Sequence, residues 1–224
     1  MKHSQLLYPH SWNERQPAWV NDVLFVPQHY FDHERSLAAI LSQSKISQHS
    51  HVCLEYCSGN GDWIIEKART YSDSIWIAVE KRFDRVKKIF SKKDKLKIEN
   101  LIIVCGDALT FTEYYLPKEC ISKIFVNFPD PWPKDRHHKH RLFQKEFIQQ
   151  LYRVGQQKCS IVLATDHLAY TEEVIGNMQK EQLFHPIFPF PHYINEWPQY
   201  GDSFFDTLWR AKGCEIYYTQ FTKG

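Results

Sequence analysis

The stretch HVCLEYCSGNGDWIIEKARTY, residues 51–71, changes backbone period partway along. His51–Tyr56 is an apolar run of strand length, and Ser58-Gly-Asn-Gly61 is a glycine turn. From Asp62 onward Trp63, Ile64, Ile65 and Ala68 fall at helical spacing, placed to pack on a sheet. The same succession recurs downstream. Ser74–Val79 reads as a second strand, followed by a basic helix over Lys81–Lys93. Leu101–Cys105 is a third strand and Ile121–Phe128 a fourth. A helix over Leu142–Val154 precedes a fifth strand at Ser160–Thr165, and a further helix covers Ala169–Lys180. Cys214–Phe221 alternates like a late, partly exposed strand. Strand–helix alternation predicts an α/β fold: a doubly wound, mainly parallel sheet with a C-terminal antiparallel strand. Such sheets bind ligands beyond the carboxyl ends of their strands, where strand order reverses, so the polar residues just after each strand deserve scrutiny.

The chain of 224 residues is long enough for a full hydrophobic core, and its apolar (43%) and charged (24%) shares exclude a disordered chain. Residues 51–224 form the expected catalytic domain. Residues 1–50 stand outside the alternation, apart from a helix over Glu34–Ser42, and are expected to be an arm or cap. No apolar run approaches membrane-span length, and the start, MKHSQLLYPHSWNERQP, lacks a signal-peptide pattern. Six cysteines without a C-x-x-C pair suit reduced, buried small hydrophobes, so a cytoplasmic location without disulfides or structural zinc is expected. Nothing in the sequence fixes an oligomeric state.

Net charge is only +2, but its distribution is uneven. Lys81, Arg82, Arg85, Lys87, Lys88, Lys92, Lys93, Lys95 and Lys97 form one basic block; Lys134, Arg136, Lys139, Arg141 and Lys145 form a second. Each block alone reads as a solvated helix face; the two together suggest a polyanionic partner.

Three acids mark successive strand ends. Glu55 sits in the first strand beside Gly59 and Gly61, where a carboxylate repels a pyrophosphate and attracts a cationic amino acid group. Ile64 stands where a dinucleotide fingerprint has its third glycine or alanine, which favours S-adenosylmethionine over NAD. Glu80 directly follows the second strand, where a ribose-binding acid belongs; the alternative is an acid pairing with the basic helix. Asp107, in Gly106-Asp-Ala108, can accept from an adenine amino group or simply close a turn.

At the fourth strand's end lies NFPDPWPKDRHHKHR, residues 127–141. Pro129, Pro131 and Pro133 each fix φ and disfavour helix in the preceding residue, which predicts an extended, stiff loop presenting Asp130 and Trp132. RNA loops are read by stacking bases on aromatics, pairing their edges and holding phosphates with cations. Trp132 or Phe128 offers the stack, and Asp130 matches the two N–H donors on guanine's Watson–Crick edge. Lys134, Arg136, Lys139 and Arg141 are expected phosphate contacts, with His137 and His138 beside the RNA backbone. The histidines lack the Cys or carboxylate spacing of a metal site, and no metal is expected. Asp166 faces the same rim unless it caps the helix near Ala169, and Ser203–Asp206 reads as a cap or turn.

Asn127-Phe-Pro-Asp-Pro-Trp-Pro-Lys134, followed by Arg136-His-His-Lys139, closely resembles the signature of the bacterial tRNA (guanine-N7-)-methyltransferases. Glu55, Glu80, Gly106-Asp107-Ala108 and Thr165-Asp166 fall in that family's order, so the resemblance spans nearly all of residues 50–221. It implies a Rossmann-like class I methyltransferase that binds S-adenosylmethionine through Glu55, Glu80, Asp107 and Asp130, with Asp130 catalytic. It also implies tRNA contacts at Lys134 and Asp166, and methylation of a variable-loop guanosine (position 46 of the tRNA). Where the family carries Thr-x-x-Glu, this chain has Ser203 and Asp206, which keep hydroxyl and charge but shorten the acid arm. An amino-group RNA methyltransferase, an NAD-dependent oxidoreductase and a non-catalytic RNA-binding module are the competing readings.

Overall fold

The computed structural model describes residues 6–9, 16–30, 32–33, 51–201 and 203–224. The helix expected over Glu34–Ser42 lies outside these residues. The elements in chain order are β1 (Ala18–Val20), β2 (Val23–Val26), β3 (Val52–Tyr56), α1 (Asp62–Thr70), β4 (Ile75–Glu80), α2 (Phe83–Leu96), β5 (Leu101–Gly106) and α3 (Ala108–Tyr115). They continue with β6 (Ile121–Asn127), α4 (Lys145–Val154), β7 (Gly155–Thr165), α5 (Leu168–Glu181), β8 (Phe184–Pro186), α6 (Phe204–Ala211) and β9 (Tyr217–Lys223).

All described strands join one sheet in the order β1-β2-β5-β4-β3-β6-β7-β9-β8. The run from β2 to β7 is parallel, while β1, β9 and β8 add antiparallel edges. Every residue of β3 and β4 is buried, as central parallel strands covered on both faces require. Leu54, Tyr56, Ile77 and Val79 pack with α4 and α5 on one face. Cys53, Trp76 and Ala78 pack with Trp63, Ile64 and Ile89 of α1 and α2 on the other.

Three strands depart from expectation. Residues 18–26, read as part of an arm, supply two strands of the main sheet: Val23–Val26 pairs with Ile103–Gly106. The strands are too short for a period-two signal. Their link is a two-residue turn, Asn21 and Asp22, both at positive φ (50° and 63°), which suits a tight hairpin. The last strand also runs later than expected, ending at Lys223.

Candidate active site

Strand order reverses between β3 and β6, which lie side by side but lead to opposite halves of the sheet. The glycine turn leaves β3 and the proline loop leaves β6 at this crevice, the place where open α/β sheets take ligands. The turn is tightly built. Gly59 and Gly61 sit at φ 56° and 79°, and a Cβ on Gly61 would lie 2.8 Å from Ile89 Cγ1, so position 61 admits only glycine without repacking. Asn60 is held from α2 by Lys88 Nζ (3.1 Å to Oδ1) and Lys92 Nζ (2.8 Å to its carbonyl).

Pleat alternation places Glu55 on the α1 face, and its register partner on β6 is Phe125. Asn127, two residues further along that strand, therefore shares the face, and its Nδ2 donates to Glu55 Oε1 at 2.7 Å. Glu55 is 1% exposed, and its Oε2 has no partner. Burial raises its carboxyl to about pH 7, against the lowering effect of the Asn127 bond. Glu80 is also buried. It accepts from Gly59 N (2.9 Å) and Arg82 N (2.8 Å) and lies 3.7 Å from Arg85, so it serves both the glycine turn and the basic helix. Desolvation raises its pKa, opposed by those backbone donors and Arg85. Asp107 is the N-cap of α3: its Oδ1 accepts from Thr110 N at 3.2 Å, and its Oδ2 faces Lys81 at 3.5 Å.

Glu80, Asp107 and Asp130 line one cavity of about 500 Å³ together with Cys57, Arg85, Phe128 and Trp132. Glu55 does not line it; it closes a small adjoining pocket with Asn127, Ser203 and Phe205, and Cys57 borders both. Phe205 of α6 stands at this junction. Its ring would touch a Cβ on Gly59 at 3.1 Å, lies 5.9 Å from the Phe128 ring, and carries the Arg85 guanidinium 5.4 Å above it.

The proline loop is not extended throughout. Phe128 and Trp132 have φ of 48° and 41°, because the loop folds around Arg141. Arg141 Nε donates to Pro131 O at 2.7 Å and Nη2 to Trp132 O at 3.3 Å. Nη1 pairs with Glu173, and the guanidinium lies 5.3 Å over the Tyr170 ring. At 5% exposure Arg141 is an internal anchor rather than the expected phosphate contact. Asp130, in contrast, is exposed and makes no hydrogen bond or ion pair with any described residue, so its carboxylate is free for a ligand. Lys134, Arg136, Lys139 and His140 are exposed around it. Trp132 packs against His137 (5.6 Å) and His140 (5.4 Å). His138 lies 3.9 Å from Glu173, turned toward the anchor. Among the described residues no His, Cys, Asp or Glu group of three or more is placed to hold a metal ion.

Of the remaining expectations, the cap reading holds for Ser203 and not for Asp166. The cap of α5 is His167, whose Nδ1 accepts from Tyr170 N at 3.2 Å, which leaves Asp166 uncommitted at the tip of β7. Ser203 caps α6 by accepting from Asp206 N at 3.1 Å. Asp206 is 3% exposed and takes Arg210 Nε (2.8 Å) and the Tyr218 hydroxyl, so it is spent on internal bonds rather than presented to a substrate. The first basic block is also largely committed: Arg82 pairs with Asp84, Arg85 with Glu80, Lys92 with Asp62 and Lys93 with Asp22. Asn127 belongs to the proline-loop motif, and its place at a strand tip beside the Glu55 strand is the sequence signal for its contact with that carboxylate. Tyr200, at the end of a short 3-10 turn, and Phe205, in the first turn of α6, reach the site from segments that carry no such signal.

A family model described as a putative methyltransferase matches residues 49–217. The chain is 45% identical over 223 residues to the tRNA (guanine-N(7)-)-methyltransferase of Chlamydia pneumoniae, covering 100% of this chain and 98% of the relative. Identity to the protein of the same name from Chlamydia trachomatis serovar D is likewise 45%, with the same coverage. The one from Leptospira interrogans is 33% identical over 74% of this chain and 75% of its own length. Among solved structures, the 16S rRNA methyltransferase KamB superposes with a TM-score of 0.63 over 93% of this chain and 100% of that one, at 14% identity. A SAM-dependent methyltransferase from Aquifex aeolicus gives 0.54 over 87% and 90%, at 12% identity. These two likenesses speak for the fold: a class I methyltransferase sheet. Full-length identity to the chlamydial proteins, with the proline loop and the strand-tip acids in place, assigns the chain to the tRNA (guanine-N(7)-)-methyltransferase family.

Proposed function

We propose that this enzyme transfers the methyl group of S-adenosylmethionine to N7 of a variable-loop guanosine in tRNA. The observation that carries the reading is a single crevice at the sheet's switch point that gathers Glu80, Asp107 and Asp130, with the unpartnered Glu55 oxygen directly behind it. A cavity of about 500 Å³ is of the size that takes a nucleoside cofactor.

The residues fit that cofactor. Glu55 Oε2 is a buried acceptor lacking a donor, which an ammonium supplies. Glu80, held by two backbone N–H groups, keeps lone pairs for ribose hydroxyls. Asp107 Oδ2, the oxygen not used by the helix cap and facing Lys81, is the acceptor this reading assigns to an adenine amino group. When bound, the donor supplies an electrophilic methyl on a sulfonium.

Guanine N7 carries a lone pair and no proton, so no base is needed to create the nucleophile. The work left to the chain is placement and stabilisation of a purine that becomes cationic. Asp130, an unpaired carboxylate on a loop anchored by Arg141, accepts from the guanine edge and offsets the growing positive charge. Trp132 offers a stacking face, and Lys134, Arg136 and Lys139 supply exposed cations for phosphates. Asp166, uncommitted just after β7, and the exposed Lys134 are the further substrate contacts in this reading. Six free cysteines suit a reducing, cytoplasmic setting, where tRNA resides.

The test is direct. Purified protein incubated with labelled donor and bulk tRNA should yield 7-methylguanosine on nucleoside digestion. Label in a methylated amino group, or tRNA binding without transfer, would replace this reading with one of its rivals.

A further inference from the structure

We propose that Tyr200 is a positioning residue for the donor site, orienting Glu55 through the Asn127 amide so that one carboxylate oxygen stays free for an ammonium. This rests on the reading of Glu55 given above and adds a residue that lies far from it in sequence.

With Glu55 ionised, as an ammonium requires, the chain of contacts has one sense. A phenol donates to Asn127 Oδ1, Asn127 Nδ2 donates to Glu55 Oε1, and Glu55 Oε2 is left without a partner. All three side chains are buried. An amide beside an ionised carboxylate must present its NH₂. Turned over, it would set its oxygen against the carboxylate. The Tyr200 hydroxyl enforces the correct orientation from the other side, because it satisfies the amide oxygen. Tyr200 is itself firmly placed. Its carbonyl accepts from Trp63 Nε1 at 3.0 Å, its ring stacks on Trp63 at 5.2 Å and 29°, and it packs against Tyr218 at 5.2 Å and Phe125 at 6.1 Å. The segment after β8 thus reaches back across the α1 face to set the geometry of a β3 carboxylate.

Tyr200→Phe keeps the aromatic packing and removes only the hydroxyl. Losing one buried hydrogen bond predicts about 5- to 10-fold weaker binding of S-adenosylhomocysteine, which carries the amino acid group. Binding of methylthioadenosine, which lacks that group, should be unchanged. The KM for the donor should rise with kcat at saturating donor unaltered. Asn127→Ala should weaken the first ligand as much or more and again spare the second, which covers the case of a poorly folding Tyr200 variant. Glu55→Gln provides the separating arm. If it weakens S-adenosylhomocysteine selectively while Tyr200→Phe and Asn127→Ala do not, the positioning role is wrong and the Glu55 role stands. If Glu55→Gln itself shows no selectivity, the reading of Glu55 fails and this proposal fails with it. Equal weakening of both ligands by Tyr200→Phe would mark a general packing role and overturn the proposal.

Discussion

Replacing Arg141 by methionine removes the charge while keeping most of the side-chain volume, and it separates two incompatible accounts of this residue. As an anchor, Arg141 satisfies two loop carbonyls and neutralises Glu173. Breaking a buried ion pair by deleting one partner costs about 3–5 kcal/mol. The Glu173 side chain is 27% exposed and recovers some hydration, so the lower end, about 3 kcal/mol, is expected. For a chain of this size that corresponds to a Tm lower by roughly 6–12 °C. Turnover should fall at least about 10-fold, because the loop that carries Asp130 loses its inner support. The dependence of tRNA affinity on salt should stay the same, since no phosphate contact is lost. Adding Glu173→Leu should recover most of the stability, as removing both members of a buried pair commonly does. The assays are thermal melting and tRNA binding across a salt series. A variant with wild-type melting and a salt slope reduced by about one would refute the anchor and restore Arg141 to the RNA interface.

Glu55 gives a pH prediction. Its folded pKa of about 7 lies above its unfolded value, so between roughly pH 4.5 and 7 the folded chain holds a proton that the unfolded chain has released. The ligand-free protein should lose stability as pH rises through that window. Glu55→Gln should be the more stable form at pH 8, by a few kcal/mol, with the gain fading as pH falls from 7 to 4.5 and absent below that. An ammonium needs the ionised form, so donor affinity should weaken toward tenfold per unit as pH falls below 7 in the wild type and stay flat in Glu55→Gln; titration calorimetry reads both. Gly61→Ala should destabilise strongly, since it combines an unfavourable φ with a 2.8 Å approach to Ile89, and chemical denaturation measures the loss. Alanine at Lys134, Arg136 or Lys139 should leave melting unchanged and lower the salt slope of tRNA binding by about one each.

Much of the fold was legible because its central strands are predominantly apolar runs separated by glycine turns or amphipathic helices; α1 buries Trp63, Ile64, Ile65 and Ala68, the residues its spacing selects. The edge strands were not legible. β1 and β8 have three residues each, and such pieces are defined by the neighbours they pair with rather than by their own pattern. For the site, the acids at strand tips could be located because topology sends strand ends to one crevice. What sequence could not supply was the partner of each charge. Arg141 and Asp206 look like surface residues in a list of charges; Arg141 is buried against Glu173 of α5, and Asp206 against Arg210 one turn along α6 and the Tyr218 hydroxyl of β9. Glu55 likewise lies behind the glycine turn, because pleat alternation turns it to the face opposite Leu54 and Tyr56.

The central claim is that the free carboxylate of Asp130 meets the guanine as it is methylated. Single-turnover transfer from labelled donor to tRNA by Asp130→Asn, with tRNA affinity measured on the same preparation, tests it most directly. Transfer should be slower by about 10²-fold or more with tRNA bound as in the wild type; transfer at the wild-type rate would show that Asp130 does not take this part.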